Sequence, residues 1–213
     1  MPQAACPSFF LVIESKRKEM IVLDTTHYFH FYGPVTTVSF RSLMDILLQA
    51  TAQHGCQKAV LCISSEGGDL NSGFTAYNFL RALKVDLTAI NMGTVESIAV
   101  PIFLAADHRL VLNNSRFLLH SFHWNFLNAP VDHTRLAEHS DSLHFDAKRY
   151  AEIFQERTNG ADDPINIADC LNGPARILDA SASISTGLAH QIIQSQDALT
   201  FGGTAVHWWV NHF

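Results

Sequence analysis

Three short apolar runs mark the middle of the chain, and each ends at small or polar residues. They cover Ala59–Ile63, Leu87–Met92 and Phe117–Leu119. Short apolar runs bounded by turn signals are typical of strands in a sheet that is covered on both faces. The pattern therefore predicts an α/β fold in which these runs are buried strands.

Segments with apolar residues at helical spacing alternate with the runs. Ser72 is the predicted N-cap of the second of these helices, and Gly55 is the predicted stop of the first. The long third segment is amphipathic, which indicates one buried face. The predicted helices are Val38–His54, Gly73–Leu83, Val131–Arg157 and a shorter one from Asp163 through Leu171.

The two ends of the chain differ from this middle part. Residues 1–31 are interpreted as N-terminal strands or an extension, with candidate strands at Phe9–Ile13 and Met20–Leu23 and a third beginning at His27. Residues 194–213 form an aromatic tail, in which Trp208 and Trp209 are expected to pack rather than to form a contact surface. Residues 1–213 are interpreted as a single domain.

Composition narrows the functional classes. A chain of 213 residues with 47% hydrophobic content can bury one α/β core. Its net charge of −6 and its 16% of charged residues argue against nucleic-acid binding. Four cysteines without CxxC spacing suggest reduced thiols, and no apolar run reaches membrane-spanning length, so we expect a cytoplasmic protein without membrane contact. No glycine-rich nucleotide motif occurs, and no cofactor is expected.

Candidate chemistry lies at the ends of the three runs. The first run leads into Gly67-Gly68, where glycine permits positive φ and could leave the Gly68 N–H facing a substrate as an anion donor. The second leads to Ser97, just ahead of a helix whose first turn accommodates Pro101. The third ends at His120.

Each of these residues also has a plain structural explanation. Ser97 could be only an N-cap, and His120 could be a core histidine with satisfied hydrogen bonds. The combination is more informative, because open α/β sheets place their sites at strand–helix junctions. A serine needs a neighbouring base to become a nucleophile, an imidazole has a suitable pKa, and an oxyanion needs backbone donors.

Three motifs carry a resemblance to a known family. They are Ser65-Glu66-Gly67-Gly68, Met92-Gly93-Thr94-Val95-Glu96-Ser97 and Asn114-Ser115-Arg116-Phe117-Leu118-Leu119-His120. In order and spacing they resemble the Ser-Pro-Gly-Gly, Met-Gly-x-x-x-Ser and Asn-Ser-Arg-x-x-x-His motifs of the Clp protease proteolytic subunit (ClpP), in the ClpP/crotonase superfamily. The likeness covers roughly residues 32–193, including a closing block at 176–189.

This resemblance implies a fold, a site and partners. The fold is a ClpP/crotonase-like α/β fold of repeated β-β-α units with a protruding handle helix at 131–157. Ser97 is the implied nucleophile, His120 the general base, and the N–H groups of Gly68 and Ile98 the oxyanion hole. The implied activity is serine-type endopeptidase action on peptides or unfolded proteins, by a homo-oligomer, with a ring as one form and a separate ATPase chain as a partner.

The sequence departs from the family pattern at the third catalytic position. An Asp is expected near Ala175, where no carboxylate occurs, and the nearest candidates are Asn172, Asp169 and Asp179. A Ser–His dyad, a triad closed by a displaced Asp or Asn, and a weakened enzyme therefore all stay open.

Two glutamates also depart from the family pattern. Glu66 replaces the turn proline, and Glu96 precedes the nucleophile. A carboxylate facing the site would repel an oxyanion, so we expect Glu96 to turn away from Ser97.

Two other functions compete with a peptidase. One is a catalytically weak or inactive ClpP-like subunit with an assembly or regulatory role. The other is an acyl-CoA enzyme of the crotonase type, which uses glutamates instead of a serine and a histidine. A metal site is not expected, because the pairs His120/His123 and His27/His30 would point to opposite faces of a strand.

Overall fold

The computed structural model describes residues 25–123, 130–200 and 204–211. The candidate strands Phe9–Ile13 and Met20–Leu23 lie outside these residues. In chain order the elements are β1 (Thr25–Tyr32), α1 (Thr37–His54), β2 (Lys58–Ser65), α2 (Leu70–Ala82), β3 (Asp86–Glu96), α3 (Ala99–Leu104), β4 (His108–Leu112), β5 (Arg116–Leu119), α4 (His133–Arg157), α5 (Ile167–Leu171), β6 (Arg176–Asp179), α6 (Ala180–Ser185), β7 (Gln191–Ile193) and β8 (Thr204–Trp209).

The described strands form one eight-stranded sheet with the order β6-β5-β3-β2-β1-β8, while β4 pairs with β3 and β7 pairs with β4. Every pair is parallel except β5–β6. β3 has 11 residues, and it pairs first with β4 and then with β5. The buried Asn91 is the last residue of β3 that pairs with β4: its Nδ2 donates to the Arg116 carbonyl at 2.9 Å, and its Oδ1 accepts from the Gly93 N–H at 3.1 Å.

The sheet separates two apolar clusters, because neighbouring side chains on a strand point to opposite faces. The larger cluster includes Phe29, Leu61 and Ala89, together with side chains of α1, α2, α3 and α4. The smaller one contains the residues next to these on the same strands, namely Tyr28, Val60 and Ile90. Burial on both faces explains why the strands are continuously apolar in sequence.

Two helices determine how the site is held. Every residue of α3 is buried, as expected for a helix without a polar face. The 25-residue α4 buries only Asp146, Tyr150 and Phe154, all in its second half, and its first half is mostly exposed. In the described part of the chain, no helix combines the length and apolarity needed to cross a bilayer.

The structure confirms that the three apolar runs are strands, which correspond to β2, β3 and β5. It also confirms α1, which ends at His54 before Gly55 with φ +62°. The predicted cap of α2 is wrong, since that helix begins at Leu70 and the Asp69 carboxylate accepts the Ser72 N–H at 2.7 Å. The predicted start of α5 at Asp163 is also wrong, because the Asp163 N–H bonds to the Ser185 carbonyl at 2.9 Å in a loop.

Candidate active site

Ser97 occupies a sharp turn between β3 and α3. Its φ of +52° makes it the one non-glycine residue with positive φ in residues 25–123, 130–200 and 204–211. Such a conformation costs about 1–3 kcal/mol and lifts the side chain out of the strand–helix junction. The cap position of α3 belongs to Ile98, whose side chain makes no cap bond, so the interpretation of Ser97 as a plain N-cap is wrong.

Backbone hydrogen bonds hold this turn in place. The Ser97 N–H donates to the Leu118 carbonyl of β5 at 3.0 Å. The Ser97 carbonyl accepts the Val100 N–H at 3.0 Å and the Tyr150 hydroxyl at 3.3 Å. The sheet, α3 and α4 therefore all contact one strained peptide unit.

His120 lies one residue beyond the end of β5. Its Nδ1 lies 2.7 Å from the carbonyl oxygen of Ser121. Because a carbonyl can only accept, Nδ1 carries the proton of the neutral ring, and Nε2 keeps a free lone pair. That tautomer is the one a general base requires.

The strand register places the serine and the histidine at the same edge of the sheet. Glu96 of β3 pairs with Leu118 of β5, so the segments that follow these two parallel strands leave the sheet side by side. Ser97, His120 and Gly68 line the same cavity of about 520 Å³. A larger cavity of about 670 Å³ lies between α4 and α5, but no ionisable side chain lines it, so it is the weaker candidate.

The glycine turn packs directly against the serine turn. Gly67 has φ +87°, and a β-carbon there would lie 2.8 Å from the Ser97 Cβ and 2.9 Å from the Glu96 carbonyl oxygen. Gly68 has φ +148°, and a β-carbon there would overlap the carbonyl of Val35. Neither position tolerates another residue without a shift of the backbone.

Two backbone donors are free at this contact. The Val35 N–H donates to the Gly67 carbonyl and the Asp69 N–H to the Val35 carbonyl, both at 2.8 Å, which leaves the intervening Gly68 N–H without an acceptor in the described chain. The Ile98 N–H is likewise unpaired there, and the Ile98 nitrogen lies 3.3 Å from where a Gly67 β-carbon would be. These are the two groups that the resemblance assigns to an oxyanion hole.

Glu96 is engaged away from Ser97. Its Oε1 accepts the Thr94 hydroxyl at 2.7 Å and the Arg116 Nη2 at 2.7 Å. This ion pair keeps the carboxylate from facing the site, as expected from the sequence.

The structure gives His120 no carboxylate partner among the three candidates for the third catalytic position. The Ser121 carbonyl takes that place at Nδ1. Each candidate is held instead by a residue close to it in sequence: Asn172 donates to the Ala168 carbonyl at 2.9 Å, Asp169 accepts from Asn166 at 3.0 Å, and Asp179 caps α6 at the Ala182 N–H at 2.8 Å.

His120 and His123 do not lie on opposite faces of a strand, so that reason for excluding a metal is wrong. β5 ends at Leu119, and both histidines line the cavity. No cluster of three or more metal-ligating side chains occurs among the residues the structure describes.

Sequence reasoning missed two features of this site. Tyr150 belongs to the apolar stripe of α4, but its contact with Ser97 depends on how α4 packs. The Ser121 carbonyl is a backbone group and has no sequence signal.

Fold and site together define an α/β protein of the ClpP type in which a serine on a strained turn and a histidine share one cavity. The Clp protease family model matches residues 15–196, and the chain belongs to this family.

Individual relatives are distant. The ATP-dependent Clp protease proteolytic subunit 2 of Borreliella burgdorferi is 26% identical over 166 residues, which cover 77% of this chain and 81% of the relative. The ATP-dependent Clp protease proteolytic subunit of Paracoccus denitrificans is 26% identical over 169 residues, which cover 78% of this chain and 81% of the relative. The solved structure of a ClpP1 point mutant from Listeria monocytogenes matches with a TM-score of 0.67 at 19% identity, over 80% of this chain and 93% of that one.

Proposed function

We propose that this protein is a serine-type endopeptidase. The observation that carries the proposal is that Ser97, His120 and Gly68 line one cavity, while the N–H groups of Gly68 and Ile98, on either side of the serine turn, have no acceptor in the described chain. Membership of the Clp protease family supports it.

In the proposed mechanism, His120 Nε2 accepts the Ser97 hydroxyl proton while Oγ attacks a peptide carbonyl. The N–H groups of Gly68 and Ile98 donate to the oxyanion of the tetrahedral intermediate. The imidazolium then protonates the leaving amine, and water, activated by the same imidazole, hydrolyses the acyl-enzyme. The Ser121 carbonyl keeps the proton on Nδ1 throughout, which is the orienting part of the role that an aspartate plays in a triad.

The proposed substrates are peptides or unfolded proteins, and the proposed assembly is a homo-oligomer served by a separate ATPase chain. The relatives are ATP-dependent Clp protease proteolytic subunits, which supports a protein substrate, assembly with other subunits and dependence on an ATPase.

Labelling with a fluorophosphonate tests the proposal. We expect mass spectrometry to find one adduct, on Ser97, and Ser97→Ala to abolish both the adduct and peptide hydrolysis. Ser142→Ala, at an exposed serine of α4, is the matched control and should label normally. A wild type that stays unlabelled under conditions that label a control protease would contradict the proposal and favour an inactive subunit with an assembly role.

A further inference from the structure

A buried tyrosine of α4 contacts the proposed nucleophile. Tyr150 of α4 donates its hydroxyl hydrogen to the Ser97 carbonyl at 3.3 Å. We propose that Tyr150 is a positioning residue for the Ser97–His120 pair; this inference rests on the proposed peptidase function. Tyr150 acts through the backbone of Ser97 and does not touch substrate.

Strain at Ser97 gives this contact its importance. A non-glycine residue with positive φ persists only where its surroundings hold it, and the Ser97 carbonyl has two donors that do so, the Val100 N–H and the Tyr150 hydroxyl. At 3.3 Å the tyrosine bond is long for O–H···O, so its effect is a modest adjustment of the turn rather than its whole support.

The Tyr150 ring also contacts the chain segment that carries His120, the proposed general base. Tyr150 packs edge-to-face on Phe122 with ring centroids 5.5 Å apart. Phe122 follows His120 by two residues and lines the cavity with it. One side chain therefore contacts both segments that must meet for proton transfer.

Tyr150 is also held in place as a donor. It is 1% exposed and stacks on Phe154 at 6.4 Å. Burial raises the pKa of Tyr150 well above its ordinary value, so the hydroxyl keeps its proton at neutral pH. Arg149 of α4 stacks over Phe74 of α2, with its Cζ 3.9 Å from the ring centroid, and this contact joins the two helices. Asp146, one turn earlier on α4, pairs with Arg149 at 3.0 Å.

Tyr150→Phe removes the hydroxyl and keeps the ring. We expect kcat and the rate of fluorophosphonate acylation of Ser97 to fall about threefold to tenfold, with KM unchanged, as for loss of one neutral hydrogen bond. Tyr150→Leu also removes the contact with Phe122, and we expect a larger loss and a displaced pH profile of kcat, because the segment of His120 moves as well.

Thr158→Val is the matched control. It removes another buried hydroxyl of the same helix region, which donates to the Phe154 carbonyl at 2.8 Å and does not contact the site. Its kcat should equal that of the wild type, while thermal unfolding monitors folding in all variants.

A labelled wild type together with wild-type kcat and acylation rate in Tyr150→Phe would overturn this inference alone. An equal loss in Thr158→Val would overturn it too, since the effect would then be general. An unlabelled wild type would instead overturn the proposed function, and this inference with it.

Discussion

At the scale of single residues, the site depends on a glycine that touches the nucleophile. The Gly67 backbone passes so close to Ser97 that a β-carbon would lie 2.8 Å from the Ser97 Cβ. Gly160 has nearly the same φ, +86° against +87°, but open space around it. The two glycines therefore separate the effect of positive φ from the effect of contact with the serine turn.

Gly67→Ala is expected to reduce kcat/KM at least tenfold and to destabilise the protein by about 2–4 kcal/mol, because strain and steric overlap add. Gly160→Ala should cost only about 1–2 kcal/mol from its φ and leave kcat/KM unchanged. Urea unfolding and peptide hydrolysis measure the two effects. Equal activity losses in both variants would show that the contact with Ser97 is unimportant.

The candidates for the third catalytic position give a second prediction at this scale. Asn172 donates to a carbonyl of α5 and Asp169 accepts from the cap residue of that helix, and in the described chain neither forms a hydrogen bond with His120. We expect Asn172→Ala and Asp169→Ala to keep kcat/KM within about threefold of the wild type, whereas His120→Ala should lower it by orders of magnitude. A hundredfold loss in either of the first two would identify the orienting group that we assign to the Ser121 carbonyl.

At the scale of elements, the edge strand β8 is joined to β1 by histidines that must stay neutral. The indole N–H of Trp208 donates to His27 Nδ1 at 3.0 Å, so that nitrogen carries no proton. His30 Nε2 and His207 Nδ1 lie 2.9 Å apart and share one proton between them. Burial lowers the pKa of His27, and the neighbouring His54 lowers it further. Burial likewise lowers the pKa of His30, with a further decrease from His207.

These lowered pKa values predict that the folded state loses stability in acid. Above the unfolded pKa of about 6.5 the imidazoles are neutral in both states and cost nothing. Below it the unfolded chain binds protons that the folded chain resists, so the free energy of unfolding falls until the folded pKa values are passed. Urea unfolding at pH 8 and pH 5 measures this decrease.

Variants at these histidines check the assignment. His30→Gln retains hydrogen bonding without a titratable ring, and it should reduce the pH dependence of stability. His133→Gln, at an exposed histidine of α4, is the control and should leave that dependence unchanged. Equal pH dependence in His30→Gln and the wild type would contradict this explanation.

Sequence patterns predicted the strands and helices that have a continuous or periodic apolar pattern. They missed the short strands that form only because they pair with the edge of the sheet. The runs at Ala59–Ile63 and Leu87–Met92 and the helix α1 stand out because their burial is continuous or periodic. β7 and β8 have 3 and 6 residues and are formed by tertiary pairing at the edges of the sheet, which local patterns do not encode. Asp69 and Ser72 can both cap a helix, and only the backbone geometry selects Asp69.

The same distinction applies to the site. Gly68, Ser97 and His120 stand out in the sequence because each follows a buried run, and all three line one cavity in the structure, while their catalytic roles stay a prediction. Tyr150 lies 53 residues from Ser97 in sequence, so its role depends on how α4 packs.

At the scale of the whole molecule, one buried cation joins distant parts of the chain. Arg109 is 4% exposed, and its guanidinium donates to the carbonyls of Leu188, Ala106, Arg157 and Gly187 at 2.8 to 3.1 Å. It thereby ties the ends of α3 and α4 to the loop before β7. Burial, and then the neighbouring Arg157, lowers the pKa of Arg109 to about 10, which leaves it charged at neutral pH.

Arg109→Met is expected to destabilise the protein by about 3–5 kcal/mol, because four buried or partly buried carbonyls each lose a charged donor. Arg135→Met removes an exposed arginine of α4 that pairs with Glu138 at 3.2 Å, and it should cost less than about 1 kcal/mol. Urea unfolding at pH 7.5 compares the two. Similar losses in both variants would contradict the structural role of Arg109.

A crystal structure of the fluorophosphonate adduct would test the central claim most directly. We predict phosphorus bonded to Ser97 Oγ, with the phosphoryl oxygen about 2.7–3.1 Å from both the Gly68 and the Ile98 nitrogens. His120 Nε2 should lie within hydrogen-bond distance of the serine oxygen. An adduct whose oxygen points away from both amides, or no adduct on Ser97, would contradict it.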